Sequence, residues 1–278
     1  MLDRVLDATQ EFFILALLFA AATMFLQGIP ALNPGERMKR NWRVNLSYFA
    51  FDLLLIMPVM VLVAQSVQGL ISEEIVSVSK MSASGVLSPL VVMFLALFVS
   101  DFVGYWRHRL MHVSVLWPVH AAHHSDEDVT WFTLVRFHPL NRLVAVALDA
   151  LVLALLDFPI WAVIFSNRIR HFYGYFIHSN IGWRYGPLKY VFVSPFLHRW
   201  HHATDIAARD KNFATILSLF DVLFGTFYCP QKRATSLGVD DPKYPVGFLG
   251  QLAYPLLVWA QLKPASEDLA VTSDNVNV

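Results

Sequence analysis

Long apolar runs alternate with short polar breaks along this chain, and their lengths predict a helical membrane protein. The first run, Phe12 to Leu32, is interrupted only by Gln27 and is long enough to cross a hydrocarbon core of roughly 30 Å. A second, Leu46 to Val67, holds Asp52 as its single charge, and a third, Val86 to Trp106, ends in Arg107 and His108. A fourth, Leu143 to Phe165, is broken by Asp157-Phe158-Pro159. A proline there removes a backbone donor, so the stretch 143–177 reads as a helical hairpin turning near Asp157. Phe248 to Leu262 is a weaker apolar stretch, suited to packing or to an interface. The predicted class is an all-α integral membrane protein with about four transmembrane or membrane-embedded helices and a helical, histidine-rich cap. Residues 1–100 form the N-terminal helices, 101–230 the histidine-bearing region and 231–262 a C-terminal segment. The tail 263–278, small and polar, is expected to be disordered. Met1 to Gln10 lacks a basic n-region, so the first run reads as a retained span, not a cleaved signal.

Loop charge predicts the orientation. The stretch Asn33 to Asn45 holds Arg37, Lys39, Arg40 and Arg43, whereas Ile71 to Gly85 holds Glu73 and Glu74 against Lys80. Basic short loops stay in the cytoplasm, which sends the C-terminal end of the third span, and the histidines after it, to the cytoplasmic side. Whether the membrane is a plasma or inner membrane or the endoplasmic reticulum is left open. Composition supports the membrane class: 56 % of the 278 residues are hydrophobic and 15 % charged, against about 25 % charged in soluble domains. A net charge of zero argues against nucleic acid as a partner. With Cys229 as the one cysteine, neither an intramolecular disulfide nor a thiolate cage can form, so a metal must be held by nitrogen and oxygen.

The eleven histidines all lie between His108 and His202. Eight form three clusters: His108 and His112 (HRLMH), His120, His123 and His124 (HAAHH), and His198, His201 and His202 (HRWHH), with His138, His171 and His178 between. Positions i, i+3 and i+4 share a helical face, so each cluster aims two or three imidazoles at a common region. Neutral imidazole binds iron, zinc, copper and nickel. Eight are more than one tetrahedral ion can use, which favours two metals. Two divalent ions held by neutral ligands call for nearby negative charge or carbonyls to hold the rings. Asp101, two helical turns before His108, and Asp221 lie in strongly apolar stretches and are the preferred supports; Asp126 and Asp205 are further candidates, and Glu127 and Asp128 read as solvated charges. Arg107, Arg109 and Arg199 flank the histidines as lipid-headgroup binders or as snorkelling side chains. The tryptophans at 106, 117, 131, 183 and 200 suit an interfacial belt.

In these boxes, and in Tyr105-Trp106-Arg107-His108-Arg109, Arg136-Phe137-His138-Pro139, His178-Ser179-Asn180 and Asp221-Val222-Leu223-Phe224-Gly225-Thr226, the sequence resembles the fatty acid hydroxylase/sterol desaturase superfamily over roughly Asp101 to Phe227. The resemblance implies two iron ions, molecular oxygen as cosubstrate, and hydroxylation or desaturation of a lipid. It implies His108, His112, His120, His123, His124, His178, His198, His201 and His202 as ligands, with His138 and His171 as further candidates. Relatives often carry an asparagine after the HHS segment and an acidic residue after the RxHP segment; here those stretches read Asp126-Glu127-Asp128 and Leu140-Asn141, which leaves the substrate subgroup open. Electrons would come from a separate ferredoxin, cytochrome or reductase, since no flavin, haem or iron–sulfur motif is present. Spacing alone also permits zinc, and a non-catalytic metal- or haem-handling membrane protein is the alternative.

Overall fold

The computed structural model describes residues 2–27, 35–74, 87–156 and 158–261. The expected tail 263–278, most of the acidic loop at 71–85 and Asp157 lie outside the described residues. Ten α-helices are described: α1 Leu2–Gln27, α2 Glu36–Phe51, α3 Met57–Glu74, α4 Pro89–Met111, α5 Trp117–His124, α6 Pro139–Leu155, α7 Ile160–His178, α8 Pro195–His201, α9 Leu219–Leu223 and α10 Phe248–Gln261. No strand occurs among them.

Proline sets where most of the functional helices begin. Pro89, Pro118, Pro139 and Pro195 open α4, α5, α6 and α8, and Pro159 immediately precedes α7. Its fixed φ suits a first turn, where the missing N–H would have had no partner. Ser194 strengthens one of these starts by accepting from the Leu197 N–H.

Among the described residues two helical stretches are long and apolar enough to cross a membrane, Glu36–Val63 and Pro89–Met111; Phe13–Ala22 is a shorter apolar stretch within α1. The first begins earlier than the sequence suggests. The basic stretch at 33–45 was expected to be a loop, yet it is helical from Glu36 onward and runs through a π-turn at Asp52–Ile56 into α3. Its arginines have partners that local sequence does not show: Arg37 bonds Asp128 at 2.6 and 2.9 Å, and Arg40 bonds Glu127 at 2.9 Å. Glu127 and Asp128 are therefore ion-paired, not simply solvated.

Helices α6 and α7 are joined through Pro159, and each packs against α4; α6 also packs on α3, and α10 lies against α5. Between α4 and α7 the buried Ser100 and Ser166 hydroxyls meet at 3.2 Å. Ser166 donates to Val163 O, so Ser100 is the donor across the interface. Ser100→Ala should cost about 0.5–1.5 kcal/mol, the net worth of one such bond, read as a small fall in the chemical-denaturation midpoint.

A buried polar hub pins α5 to α2. Arg136, fully enclosed, donates to Asn45 Oδ1 (2.6 Å), Asn41 O (2.9 Å) and Ser125 Oγ (3.0 Å). Asp126 beside it accepts from Asn45 Nδ2 (3.1 Å) and Thr133 Oγ1 (2.7 Å). Behind the histidines Tyr105, Ile177, Val193, Leu197, Phe213 and Phe220 form an apolar core.

Candidate metal centre

Nine histidines converge at one end of α4, α5, α7 and α8, in two groups. His108, His112, His120, His124 and His201 form the first; His123, His178, His198 and His202 form the second, with ligand-capable nitrogens inside each group within 4.8 Å of one another. The division follows helix geometry. At 3.6 residues per turn, residues four apart project about 40° apart and adjacent residues about 100° apart. Each i,i+4 pair accordingly stays together: 108 with 112 and 120 with 124 in the first group, 198 with 202 in the second. The middle histidine of each HxxHH box crosses to the other group, His123 to the second and His201 to the first. His178, the last residue of α7, completes the second group.

The second group is shaped for a cation. His178 Nε2 lies 3.1 Å from His123 Nε2, 3.0 Å from His198 Nε2 and 3.3 Å from His202 Nε2, and the last two are 3.3 Å apart. Nitrogens bound at about 2.0–2.1 Å to one tetrahedral ion would be about 3.3 Å from each other. His178 Nδ1 sits 2.7 Å from Gly174 O, and a carbonyl only accepts, so Nδ1 carries the proton and Nε2 presents a lone pair. In the first group His108 Nδ1 is fixed in the same way by Phe213 O (2.7 Å) and His201 Nδ1 by Lys211 O (2.8 Å). His112 Nε2, His124 Nε2 and His201 Nε2 are buried without a hydrogen-bond partner among the described residues. Burial, joined by the neighbouring imidazoles, holds His123, His124, His201 and His202 well below the usual histidine range, so these rings are neutral and able to ligate. The residues fit two metal ions.

One short segment aims three rings of the first group. Asp210 Oδ1 meets His112 Nδ1 at 3.2 Å, while the Lys211 and Phe213 carbonyls hold His201 and His108. Asp210 and Asn212 take φ of 57° and 59°, a left-handed turn that suits short polar side chains. Asn212 locks the turn through Leu197 O (3.2 Å) and Tyr228 O (2.7 Å). Sequence reading did not single out 210–213, because two of its three contacts come from backbone carbonyls.

Asp101 and Asp221 are buried but bond backbone, not imidazole. Asp221 accepts from the Phe213 and Ala214 N–H groups (2.7 and 3.1 Å) and from Thr226 Oγ1 (2.8 Å), so it supports His108 at one remove. Burial pushes its pKa up to about 6. Asp101 accepts from the Ile216 and Leu217 N–H groups and lies 3.7 Å from Arg170. Asp126 belongs to the Arg136 hub, and Asp205 caps a turn through the Ala207 N–H. His138 and His171 stand apart: His138 is held by Leu252 O and the Leu140 N–H, and His171 meets Glu11 at 3.1 Å. Arg107 binds Asp149, Arg109 reaches Tyr105 OH, and Arg199 bonds Ala234 O. Of the tryptophans, 106 and 183 are exposed, 117 packs on His112 and His124, 131 stacks on Phe19, and 200 is buried.

A cavity of about 520 Å³ between α4, α6 and α7 reaches His108 and His120 of the first group and His123, His178 and His198 of the second. Met111, Leu134, Phe137, Val146, Phe158 and Val163 make much of its wall apolar. The arrangement is that of a helical protein with two histidine groups, each able to hold a metal ion, at the end of one largely apolar chamber. Residues 93–226, the stretch from α4 past α9, match the model of the fatty acid hydroxylase family. Ornithine lipid hydroxylase OlsE of Rhizobium tropici is 37 % identical over 163 residues, 58 % of this chain and 49 % of that protein. The alkylglycerol monooxygenase of Homo sapiens is 32 % identical over 134 residues (48 % of this chain, 30 % of the relative), and that of Xenopus tropicalis 30 % over 163 residues (57 % and 35 %). The chain matches about half of the first of these relatives and about a third of the others. No solved structure matches significantly.

Proposed function

We propose that the chain is an oxygen-dependent di-iron membrane oxidoreductase that hydroxylates or desaturates a lipid. The observation that carries this reading is the shared chamber: both histidine groups open onto one largely apolar cavity. The nine histidines are the proposed ligands, with Asp101 and Asp221 as supports acting through backbone. Five imidazoles in the first group exceed the four that close a structural zinc site, which favours iron. The names of the relatives, a lipid hydroxylase and monooxygenases, point to the same chemistry.

When bound, two irons would supply the oxygen activation that an unreactive C–H bond requires. Hydroxylation consumes one O2, two electrons and two protons and yields an alcohol and water; desaturation yields an alkene and two waters for the same input. The electrons come from a separate one-electron donor such as a ferredoxin, cytochrome or reductase. The protein's own part is to exclude water, to keep its imidazoles neutral and aimed, and to hold the lipid alongside them.

We place the metal centre on the cytoplasmic side, because Arg37, Lys39, Arg40 and Arg43 sit on the end of α2 that pairs with Glu127 and Asp128 next to α5. In this layout α1, the α2–α3 helix, α4 and the α6–α7 pair are the membrane-embedded elements.

The test is elemental analysis of purified protein together with lipid profiling of cells with and without the chain. Two irons per chain, and a lipid that gains an oxygen or loses two hydrogens only in air, are expected. Protein that takes up no transition metal, or lipid profiles that do not differ, would show the reading to be wrong.

A further inference from the structure

The segment Arg136-Phe137-His138-Pro139 is tied down on both sides of its aromatic residue. Arg136 bonds Asn41, Asn45 and Ser125, His138 is held by Leu252 O, and Pro139 opens α6. Phe137, between these anchors, lines the chamber. Its ring lies flat on that of His123, with centroids 4.2 Å apart and planes 9° from parallel. Arg142 also packs on the Phe137 ring, its guanidinium carbon 4.9 Å from the centroid.

His123 needs such a support. A ligating histidine usually donates its outer N–H to an acceptor, which fixes the plane of the ring. His178, His108 and His201 have backbone carbonyls in that role. His123 turns Nε2 toward His178 at 3.1 Å, and its Nδ1 is buried without a hydrogen-bond partner among the described residues. What meets this imidazole instead is the face of Phe137. The contact differs in kind from those of the other aromatics around the histidines: Trp117 and Phe213 meet imidazoles at 48–80°. A parallel stack restricts the tilt of a ring, and a backbone anchored at Arg136 and His138 gives the stack a fixed base.

We infer that Phe137 is a positioning residue for the second metal position, its stacked ring setting the plane in which His123 presents Nε2. This rests on reading the second histidine group as a metal site. The same ring stands 6.2 Å from His120 of the first group and 31° from its plane, a looser contact, so the second position depends on it more than the first.

The test uses the purified full chain in detergent, loaded with cobalt(II), which imidazole nitrogen binds and whose visible bands report coordination geometry. Wild-type protein is expected to take up two cobalt ions, and a chelator is then titrated in. Phe137→Leu keeps an apolar side chain without the ring. It should release one ion at about tenfold lower chelator concentration, as loss of an outer support does, and hold the other as wild type does. The ion released should be the one that His178→Ala lacks, and its bands should shift in Phe137→Leu before chelator is added. Phe137→Tyr, which keeps the ring, should match wild type in both readouts. Phe137→Met carries the same expectation as Phe137→Leu, so a leucine variant that fails to fold still leaves a decisive comparison. Unchanged far-ultraviolet circular dichroism identifies variants that have kept the fold. Folded leucine or methionine variants that hold both ions as wild type does, equal loosening of both ions, or a tyrosine variant that loses the ion as readily as leucine would overturn the inference. Wild-type protein that binds no cobalt would remove the metal reading and this inference with it. Unchanged lipid profiles, with two cobalt ions bound, would remove the oxidase reading and leave the role of Phe137 standing.

Discussion

His178→Ala should strip the second metal position and end turnover. His178 is the hub of its group: its Nε2 makes the 3.0–3.3 Å approaches to His123, His198 and His202, and it is the histidine that α7 contributes to the group. With alanine there, three imidazoles from two other helices remain and the geometry that fits one ion is lost. Disrupting even an outer partner of a ligand costs about 10–100-fold in affinity or activity, so loss of the ligand itself should exceed about 100-fold. Metal content should fall from two to about one per chain, and the oxidised lipid should disappear. His138→Ala is the matched control. His138 lies in the same family motif region, but its two ring nitrogens are taken by Leu252 O and the Leu140 N–H. It should lose about 1 kcal/mol of stability and keep both metals. If His138→Ala releases metal, or His178→Ala keeps two ions, the assignment of the groups is wrong.

The histidine clusters were legible because helical spacing is a local property: residues three and four apart must share a face wherever the helix sits. The five-and-four division was not legible in the same way. It needs the relative placement of α4, α5, α7 and α8, although the rule that i,i+4 pairs stay together and the middle histidine crosses over follows from the 100° step once two target points are known. His178 was picked out through the family motif; no local pattern announces a lone histidine at a helix end. The stretch before Leu46 was misread for a different reason. Arg37 and Arg40 look like loop charges until Asp128 and Glu127, about ninety residues on, are seen to neutralise them. Asp101 and Asp221 were recognised from charge in apolar surroundings, which marks a carboxylate with buried partners but not which partners. Backbone N–H groups leave no trace in a side-chain pattern, so a direct carboxylate–imidazole contact was expected where the structure has a carboxylate, a peptide and then an imidazole.

That relay makes Asp221→Ala a change with two separable effects. The carboxylate fixes the Phe213 and Ala214 N–H groups and the Thr226 hydroxyl, and Thr226 in turn meets Tyr105 OH at 2.9 Å. Alanine leaves two buried N–H donors without acceptors at about 1–3 kcal/mol each, so a stability loss of about 3–5 kcal/mol is expected in chemical denaturation. The second effect is on metal. Once the peptide at Phe213 is free to shift, the segment 210–213 no longer holds the outer nitrogens of His108, His112 and His201. The second group makes no hydrogen bond to that segment; its His178 is oriented by Gly174 O. Asp221→Ala should therefore weaken the first position by about 10–100-fold, as removal of outer partners does, and spare the second. After dialysis against a chelator that leaves wild-type protein with two metals, the variant should retain about one. His178→Ala under the same treatment should retain the other, so a spectroscopic signature of each remaining ion, taken side by side, should differ. Equal loss of both metals from Asp221→Ala would mean that the carboxylate supports the whole helical cap and not one position within it.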